Sequence, residues 1–386
     1  MPLTTPSHIL RRRALLTALV ALLLAGPGWA GQTCVLSLNA DGSANDGGAF
    51  ASVNNDAFAC GSFAAASGAS TTAVGAGSHV VGDHATAIGT ASAADAAGGT
   101  AVGAFSHAIA IDSTAIGFLS TVEGTGGVAV GSRSAAHGDH SIAIGEFSNA
   151  VGASSTAIGG FVDANGDGIA NQDIDPDPTV DGNGDGDPTN DFTASSEVTS
   201  AIGARSSAFG AAALAVGADS TAVGVNAQSF GEGSLAIGTA AQSTGIFGTA
   251  VGSMSIASGL DSTAVGNFSR ATGARSLAAG SASAADGDDS AAFGFGSIAS
   301  TNGSTALGAL SGTSGVANTA VGFRAHTVGD ASVALGGAFD RNGNGAIDNN
   351  EETIFACALS DRVTLSFGTA FSGSERSLGF GFSAAL

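Results

Sequence analysis

The stretches Thr71-Thr-Ala-Val-Gly75, Ala85-Thr-Ala-Ile-Gly89, Gly99-Thr-Ala-Val-Gly103 and Ser113-Thr-Ala-Ile-Gly117 stand 14 residues apart. Their closing glycines belong to a ladder of Gly61, Gly75, Gly89, Gly103, Gly117, Gly131, Gly145 and Gly159. Halfway between stand Gly68, Gly82, Gly124, Gly138 and Gly152, with Ala96 and Ala110 at the two other half-way positions. Ala73, Ala87, Ala101, Ala115, Ala129, Ala143 and Ala157 each precede a main glycine by two, and a Val or Ile always lies between. The ladder resumes at Gly210 and runs by 14 to Gly336, with Ala208 to Ala334 in the same relation. Its half-way ladder runs from Gly203 to Gly329, with Thr301 as the one exception.

A fixed period of this length marks a repeat architecture. Val, Ile and Thr favour strands, and glycine admits the tight corners between them. Two short strands and two turns use about 14 residues, and coils of that kind must stack in parallel to bury anything. The fold expected is an all-β parallel β-roll, a solenoid with 14-residue coils. Glycine every seven residues disfavours helix, collagen needs it every third, and flexible linkers lack phased ladders of Val and Ile.

Alternation gives each strand two faces. Thr86 and Ile88 share one, Ala87 points to the other. The column Thr72, Thr86, Thr100, Thr114 therefore lies with Val and Ile and reads as core. An Ala in every coil implies a limit on volume, read as a seam packed against another wall. Because so thin a slab buries little by itself, that wall is expected to be a partner subunit.

Composition and charge narrow the function. The chain has 386 residues with 61 Gly, no Tyr and no Lys; its basic residues are 11 Arg against 32 Asp plus Glu. Residues 1–30 read as a signal peptide: Arg11, Arg12 and Arg13, an apolar stretch from Ala14 to Ala25, and a small-residue cleavage site at Gly28-Trp29-Ala30. Loss of three Arg with the signal leaves 8 Arg against 32 acidic residues. Such a surface repels nucleic acid and anionic lipid and favours divalent cations. Export permits a disulfide. Cys34 with Cys60 is the expected pair, with Cys357 left over or pairing between subunits. The histidines are scattered over the coils, and none partners a Ser and an Asp in a nucleophilic arrangement. The chain is read as no enzyme.

Two acidic segments interrupt the pattern. Gly159 and Gly203 are 44 residues apart, a half-period plus 37. The segment from Gly160 to Glu197 holds ten acidic residues and no basic one. Within it, Asp163, Asn165, Asp167 and Asn171 occupy alternate positions of a calcium-type loop, with Ile174 where the bidentate carboxylate belongs. A second phrase, Asp181, Asn183 and Asp185, departs further. After the last coil, Asp340, Asn342, Asn344, the carbonyl of Ala346, Asp348 and Glu351 fit the twelve-residue calcium loop at each key position, with Gly345 at the sharp turn. A hard cation needs such oxygens to converge, so calcium is the expected cofactor. Asp163 lies four residues after Gly159 and Asp340 four after Gly336, so both segments leave the same corner of the coil.

The repeat phrases resemble the head repeats of the YadA-like family, the trimeric autotransporter adhesins, over roughly residues 55–159 and 198–336. The resemblance implies a left-handed parallel β-roll, three chains side by side as a homotrimer, and a place on a bacterial surface. It implies binding of a host matrix protein or a cell-surface receptor, with no single ligand residue to carry over. The division expected is a signal peptide (1–30), an N-terminal cap (31–54), a first run of the roll (55–159), the acidic insertion (160–197), a second run (198–339), the calcium loop (340–352) and a C-terminal hairpin (353–386). Heptads, which that family usually has in a stalk, are absent. The tail alternates at Val363, Leu365 and Phe367 and again at Leu378, Phe380 and Phe382. It is either a cap on the last coil or a remnant membrane anchor. The alternative function is a secreted structural solenoid without a specific receptor.

Overall fold

Three-residue Thr-Ala-Val/Ile strands alternate with two-residue strands, and each kind stacks on its own kind to form two walls. In a computed structural model, the structure describes residues 32–33, 37–38, 44–45, 47–52, 56–160 and 198–336, and the strands at 356–360, 362–364, 371–372, 375–376 and 383–384. These fall into two units, Met1–Ala115 and Ile116–Leu386.

In the first unit, wall A contains Phe58–Cys60, Thr72–Val74, Thr86–Ile88 and Thr100–Val102. They pair in parallel and in register, Thr72 opposite Thr86 and Ala73 opposite Ala87. Wall B contains Ala65–Ala66, His79–Val80, Ala93–Ala94 and His107–Ala108, also parallel. Gln32–Thr33 adds to wall A beside Phe58–Cys60, with Thr33 opposite Ala59. Cys60 is disulfide-bonded. Its expected partner, Cys34, lies outside the described residues.

The second unit repeats the pattern from Val128–Val130 to Ser332–Leu335 in wall A and from Thr121–Val122 to His326–Thr327 in wall B. Each unit is thus a parallel β-solenoid with a 14-residue coil. The long interruption does not disturb the register. Asn149 lies opposite Ser200 in wall B and Thr156 opposite Ser207 in wall A. Beyond the last coil the direction reverses. Ala356–Ser360 lies antiparallel on Ser332–Leu335, with Cys357 opposite Val333. Arg362–Thr364 and Ser383–Ala384 follow, antiparallel in turn, and Phe371–Ser372 closes a hairpin with Glu375–Arg376. Ala356–Ser360 covers the open edge of wall A, where unpaired N–H and C=O groups would otherwise be exposed. Of the strands expected from the alternation in the tail, Leu365, Phe367, Leu378, Phe380 and Phe382 lie outside the described residues.

The inside of the coil belongs to alanine. Ala73, Ala87, Ala101 and Ala115 have no exposed surface, and neither do their counterparts Ala66, Val80, Ala94 and Ala108 across the coil. In the second unit the same holds from Ala129 to Ala320 on wall A and from Val122 to Ala299 on wall B, where Ser229 and Ser243 also take interior places. The Ala column is therefore the core of a single chain, not a seam between subunits. The limit on volume holds, but the opposing wall is the other half of the same coil. The Thr column, expected as core, faces outward with Val and Ile, and these residues are half-exposed or exposed. The reason is volume. Two strands per coil bring the walls so close that methyl groups fill the gap. A larger residue enters where its neighbour shrinks: a Cβ on Gly127 would lie 2.7 Å from Cγ1 of Val122.

The corners are tight in two different ways. After the wall A strands, that ending at Ile158 excepted, the main glycine takes a conformation open only to glycine, as at Gly252 (φ +134°). Its Cβ would stand 2.4 Å from the carbonyl oxygen of Gly266 in the next coil. Two residues on, the chain passes through the left-handed region, and here side chains are tolerated: Phe105 (φ 58°), Arg133 (φ 54°) and Met254 (φ 55°) all adopt it. The second corner repeats this with Asp112, His140 and Asp261. Glycine spacing in the sequence marks close stacking of coils; the left-handed residue is mostly not glycine and went unseen.

Candidate interaction surfaces

With Ala turned inward, the outward side of each wall is what a partner meets. On wall A, the outward columns are Thr72, Thr86 and Thr100 with Val74, Ile88 and Val102 in the first unit. In the second they include Val128, Ile142 and Leu235 with Val130, Ile144, Ile237 and Val265. Among the described coils no outward position of wall A carries a charge. Ile88, Ile144, Ile237, Val265 and Leu307 are each more than a third exposed. The adjoining first corner continues this character with exposed Phe63, Phe105, Leu119, Met254, Phe268, Phe295 and Leu310. Extended apolar surface is a common character of interaction sites.

Most of the charges are gathered on wall B and the second corner, while the first corner carries Arg133, Glu146 and Arg324. Asp95 lies between two histidines of its own wall, accepting from His107 at 2.7 Å and standing 3.7 Å from His79. His137 meets Glu123 at 2.8 Å, one coil away. Arg270 meets Asp286 at 2.8 Å. At the second corner Arg205 pairs with Asp219, and Arg275 pairs with Asp289 at 2.6 Å, again between successive coils. These last two pairs are fork-like, each guanidinium donating to both carboxylate oxygens. The hydrogen bond from each Arg holds its Asp below the usual carboxylate range. Exposed pairs of this sort contribute little to stability; their regular spacing shows where solvent lies.

Part of the acidic charge is structural. Asp83 Oδ1 accepts the backbone N–H of Ala69 at 2.8 Å, one coil back. Asp139, Asp288 and Asp330 do the same for Thr125, Ala274 and Val316, each at 2.9 Å. These Asp all follow a half-way glycine, so the Gly-Asp pairs at 82–83, 138–139, 287–288 and 329–330 are the sequence signal of this tie between coils.

The base of the insertion is held shut. Thr199 Oγ1 donates to Gly160 O at 2.8 Å and to Gly210 O at 2.6 Å. Ordinary coils have a buried Ser here, as Ser148, which donates to Gly145 O at 2.9 Å. Gly160 and Thr199 are thus tied together at the first corner. The expected calcium residues Asp163, Asn165, Asp167, Asn171, Asp181, Asn183 and Asp185 lie outside the described residues. So do Asp340, Asn342, Asn344, Ala346, Asp348 and Glu351, and the signal peptide. Among the described residues no group of three or more His, Cys, Asp or Glu is arranged to hold a metal. No helix among them is long and apolar enough to cross a membrane.

No curated protein matches the chain. A family model described as the YadA head domain repeat (2 copies) does. It matches residues 81–106, 108–134 and 136–161, overlapping stretches from 201 to 311, and 319–338. These stretches cover more than half of the chain and coincide with the coils whose Ala faces inward and whose main glycine stacks on the next. The chain belongs to the YadA head domain repeat family.

Proposed function

We propose that this chain is the head of a bacterial surface adhesin, attaching its cell to host matrix or to other cells through a homotrimer of left-handed rolls. Family and fold are those of a non-enzymatic, adhesin-type β-solenoid. The observation that carries the reading is the division of the outside into one uncharged face and one charged face. The uncharged Val/Ile/Thr face of wall A is the trimer seam, the role first given to the Ala column. Burying that face among three copies supplies the apolar area that an interior of Ala methyls cannot. Wall B and the second corner remain outside, where ligand is met. Export through the signal peptide at 1–30 delivers the head to the surface, and the domain division set out above is retained.

Sedimentation of the mature protein tests the seam. The wild type is expected to run as a trimer, and Val265→Glu, on the outward face of wall A, as a monomer with its β-signal kept. A wild-type monomer, or a trimer indifferent to Val265→Glu and Ile237→Glu, overturns it. Adhesion is tested by binding to collagen, fibronectin and cell surfaces. Saturable binding to none of a broad panel leaves the alternative, a structural solenoid without a receptor.

Calcium belongs to this proposal as a local stiffener at the loop of Asp340, Asn342, Asn344, Ala346, Asp348 and Glu351, and in the phrases from Asp163 and Asp181. It is supported by the donor pattern alone. Calorimetry at millimolar calcium is expected to show heat that Asp340→Ala reduces; no heat in the wild type refutes it. For the tail, the antiparallel strands on the edge of wall A favour a cap over a membrane anchor.

A further inference from the structure

The two corners of the coil present different chemistry. In the second unit the first corner exposes Met254, Phe268, Leu310 and Phe323. Its charged residues, among those described, are Arg133, Glu146 and Arg324. The second corner carries seven carboxylates among the described residues, Asp139 and Asp330 included, against Arg205 and Arg275. The arginines divide in the same way. Arg205, Arg270 and Arg275 are ion-paired within the chain. Arg133 and Arg324, both at the first corner, have no carboxylate partner among the described residues. Arg133 stands 5.0 Å from the centre of the Phe147 ring, and Arg324 5.4 Å from that of Phe323. Both cations are thus held on the apolar ridge of the first corner.

A second copy of this chain fits that division, given the wall A seam proposed above, on which this inference rests. Parallel copies that turn wall A toward a common axis form a closed ring with heterologous contacts. In such a ring the first corner of one copy borders the second corner of the next at the same level. The charges suit this coil by coil. Arg133 and Asp139 lie on the two corners of one coil, and so do Arg324 and Asp330. In the coil of Phe268 the second corner carries Arg275. Among the described residues of the second unit, no coil carries like charges on its two corners. A two-fold pairing of second corner with second corner would instead set carboxylates against carboxylates. Asp139 Oδ1 and Asp330 Oδ1 each accept a backbone N–H of the preceding coil at 2.9 Å, which holds these carboxylates in place on the corner.

We propose that the first corner of each copy packs on the second corner of the next, coil against equivalent coil. Arg133 then meets the partner's Asp139, Arg324 meets the partner's Asp330, and Phe268 lies against the partner's Arg275. The wall A face supplies buried apolar area, and the two corners fix the direction of the chains and their level along the axis.

Cross-linking in the full mature chain tests the contact. Arg133→Cys combined with Asp139→Cys should, on mild oxidation, give about tenfold more covalent trimer in non-reducing electrophoresis than either single variant. Arg133→Cys combined with Asp288→Cys, on corners of different coils, should give no more than the single variants. A trimer in sedimentation that the matched pair does not cross-link overturns the corner contact and leaves the wall A seam standing. A wild-type monomer overturns both. Equal cross-linking by the matched and mismatched pairs also overturns it, because the copies are then not in level. A charge exchange gives the second readout, should a cysteine variant not fold. Arg324→Asp and Asp330→Arg should each weaken assembly about tenfold, and the two together should restore most of it. Loss without restoration refutes the pairing, since a purely local role of Asp330 would not be rescued from the opposite corner.

Discussion

Replacing Gly252 by Ala tests the stacking of coils most directly. The new methyl would stand 2.4 Å from Gly266 O and 2.6 Å from its carbonyl carbon, both backbone atoms of the next coil. Relief requires the two coils to separate at a point where Gly266 N–H donates to Val251 O at 2.8 Å. Losing that hydrogen bond costs about 0.5–1.5 kcal/mol. Holding an L-residue at φ +134° costs about 1–3 kcal/mol more. Reduced freedom of the unfolded chain returns about 0.4–1 kcal/mol. The net expectation is a loss of about 2 kcal/mol, within a span of about 0.5–4 kcal/mol, before the clash itself is counted. Gly303→Ala is the matched comparison. At φ +66° Gly303 occupies the left-handed position that Ala317 and Asp289 also adopt, and its nearest neighbour, Cα of Ala317, is an ordinary 3.8 Å away. Here only the left-handed penalty of about 1–2 kcal/mol acts, offset in part by about 0.4–1 kcal/mol from the unfolded chain, leaving a loss of about 1 kcal/mol. Urea denaturation followed by far-ultraviolet circular dichroism, with slopes compared so that cooperativity is checked, measures both. A loss below about 1 kcal/mol for Gly252→Ala, or one no larger than for Gly303→Ala, refutes the claim that close stacking excludes a side chain at the main glycine.

Three further outcomes follow from the same geometry. Ala264 is fully buried between the walls, so Ala264→Leu should destabilise the chain by about 1–3 kcal/mol even at dilutions where subunits separate, while outward Val265→Leu stays within about 0.5 kcal/mol there; an effect confined to assembly would return the Ala column to a subunit seam. Ser255 Oγ donates to Gly252 O at 2.8 Å, whereas the buried Ser262 Oγ has no hydrogen-bond partner among the described residues, so Ser255→Ala should cost about 1 kcal/mol and Ser262→Ala should be neutral or stabilising; denaturation midpoints in the reverse order contradict this. Asp219 and Asp289 are held below their ordinary range by Arg205 and Arg275, so the stability they contribute is present above the usual carboxylate pKa and lost as pH falls through their lowered values; acid titration of Asp219→Asn and Asp289→Asn should show a shallower loss than the wild type, and less difference at high salt.

The period of the roll, its register and the place of its interruption could all be read from residue spacing. Parallel coils repeat the same backbone in the same environment, so each position needs one residue type, and Gly, Ala and Val/Ile return in strict phase. The 37 extra residues after Gly159 appear in the structure as a register that resumes unchanged at Ser200 and Ser207. The Asp residues that tie one coil to the previous one were less visible, because their partner is a backbone N–H with no signature of its own. The left-handed corner residues were invisible for a related reason: Phe, Arg, Asp and His all occupy them, and the conformation is imposed by the coil.

What the sequence by itself determined is that a strand such as Thr86-Ala-Ile88 has two faces, one of Ala and one of Thr with Val or Ile. Which face lies inside, only the tertiary structure decided. Apolarity ranks Val and Ile above Ala for burial, and so pointed to the wrong side. The roll has two strands per coil, and its walls approach until methyl groups fill the space between them. Volume, not apolarity, chooses the interior, and the more apolar face of wall A is left outside.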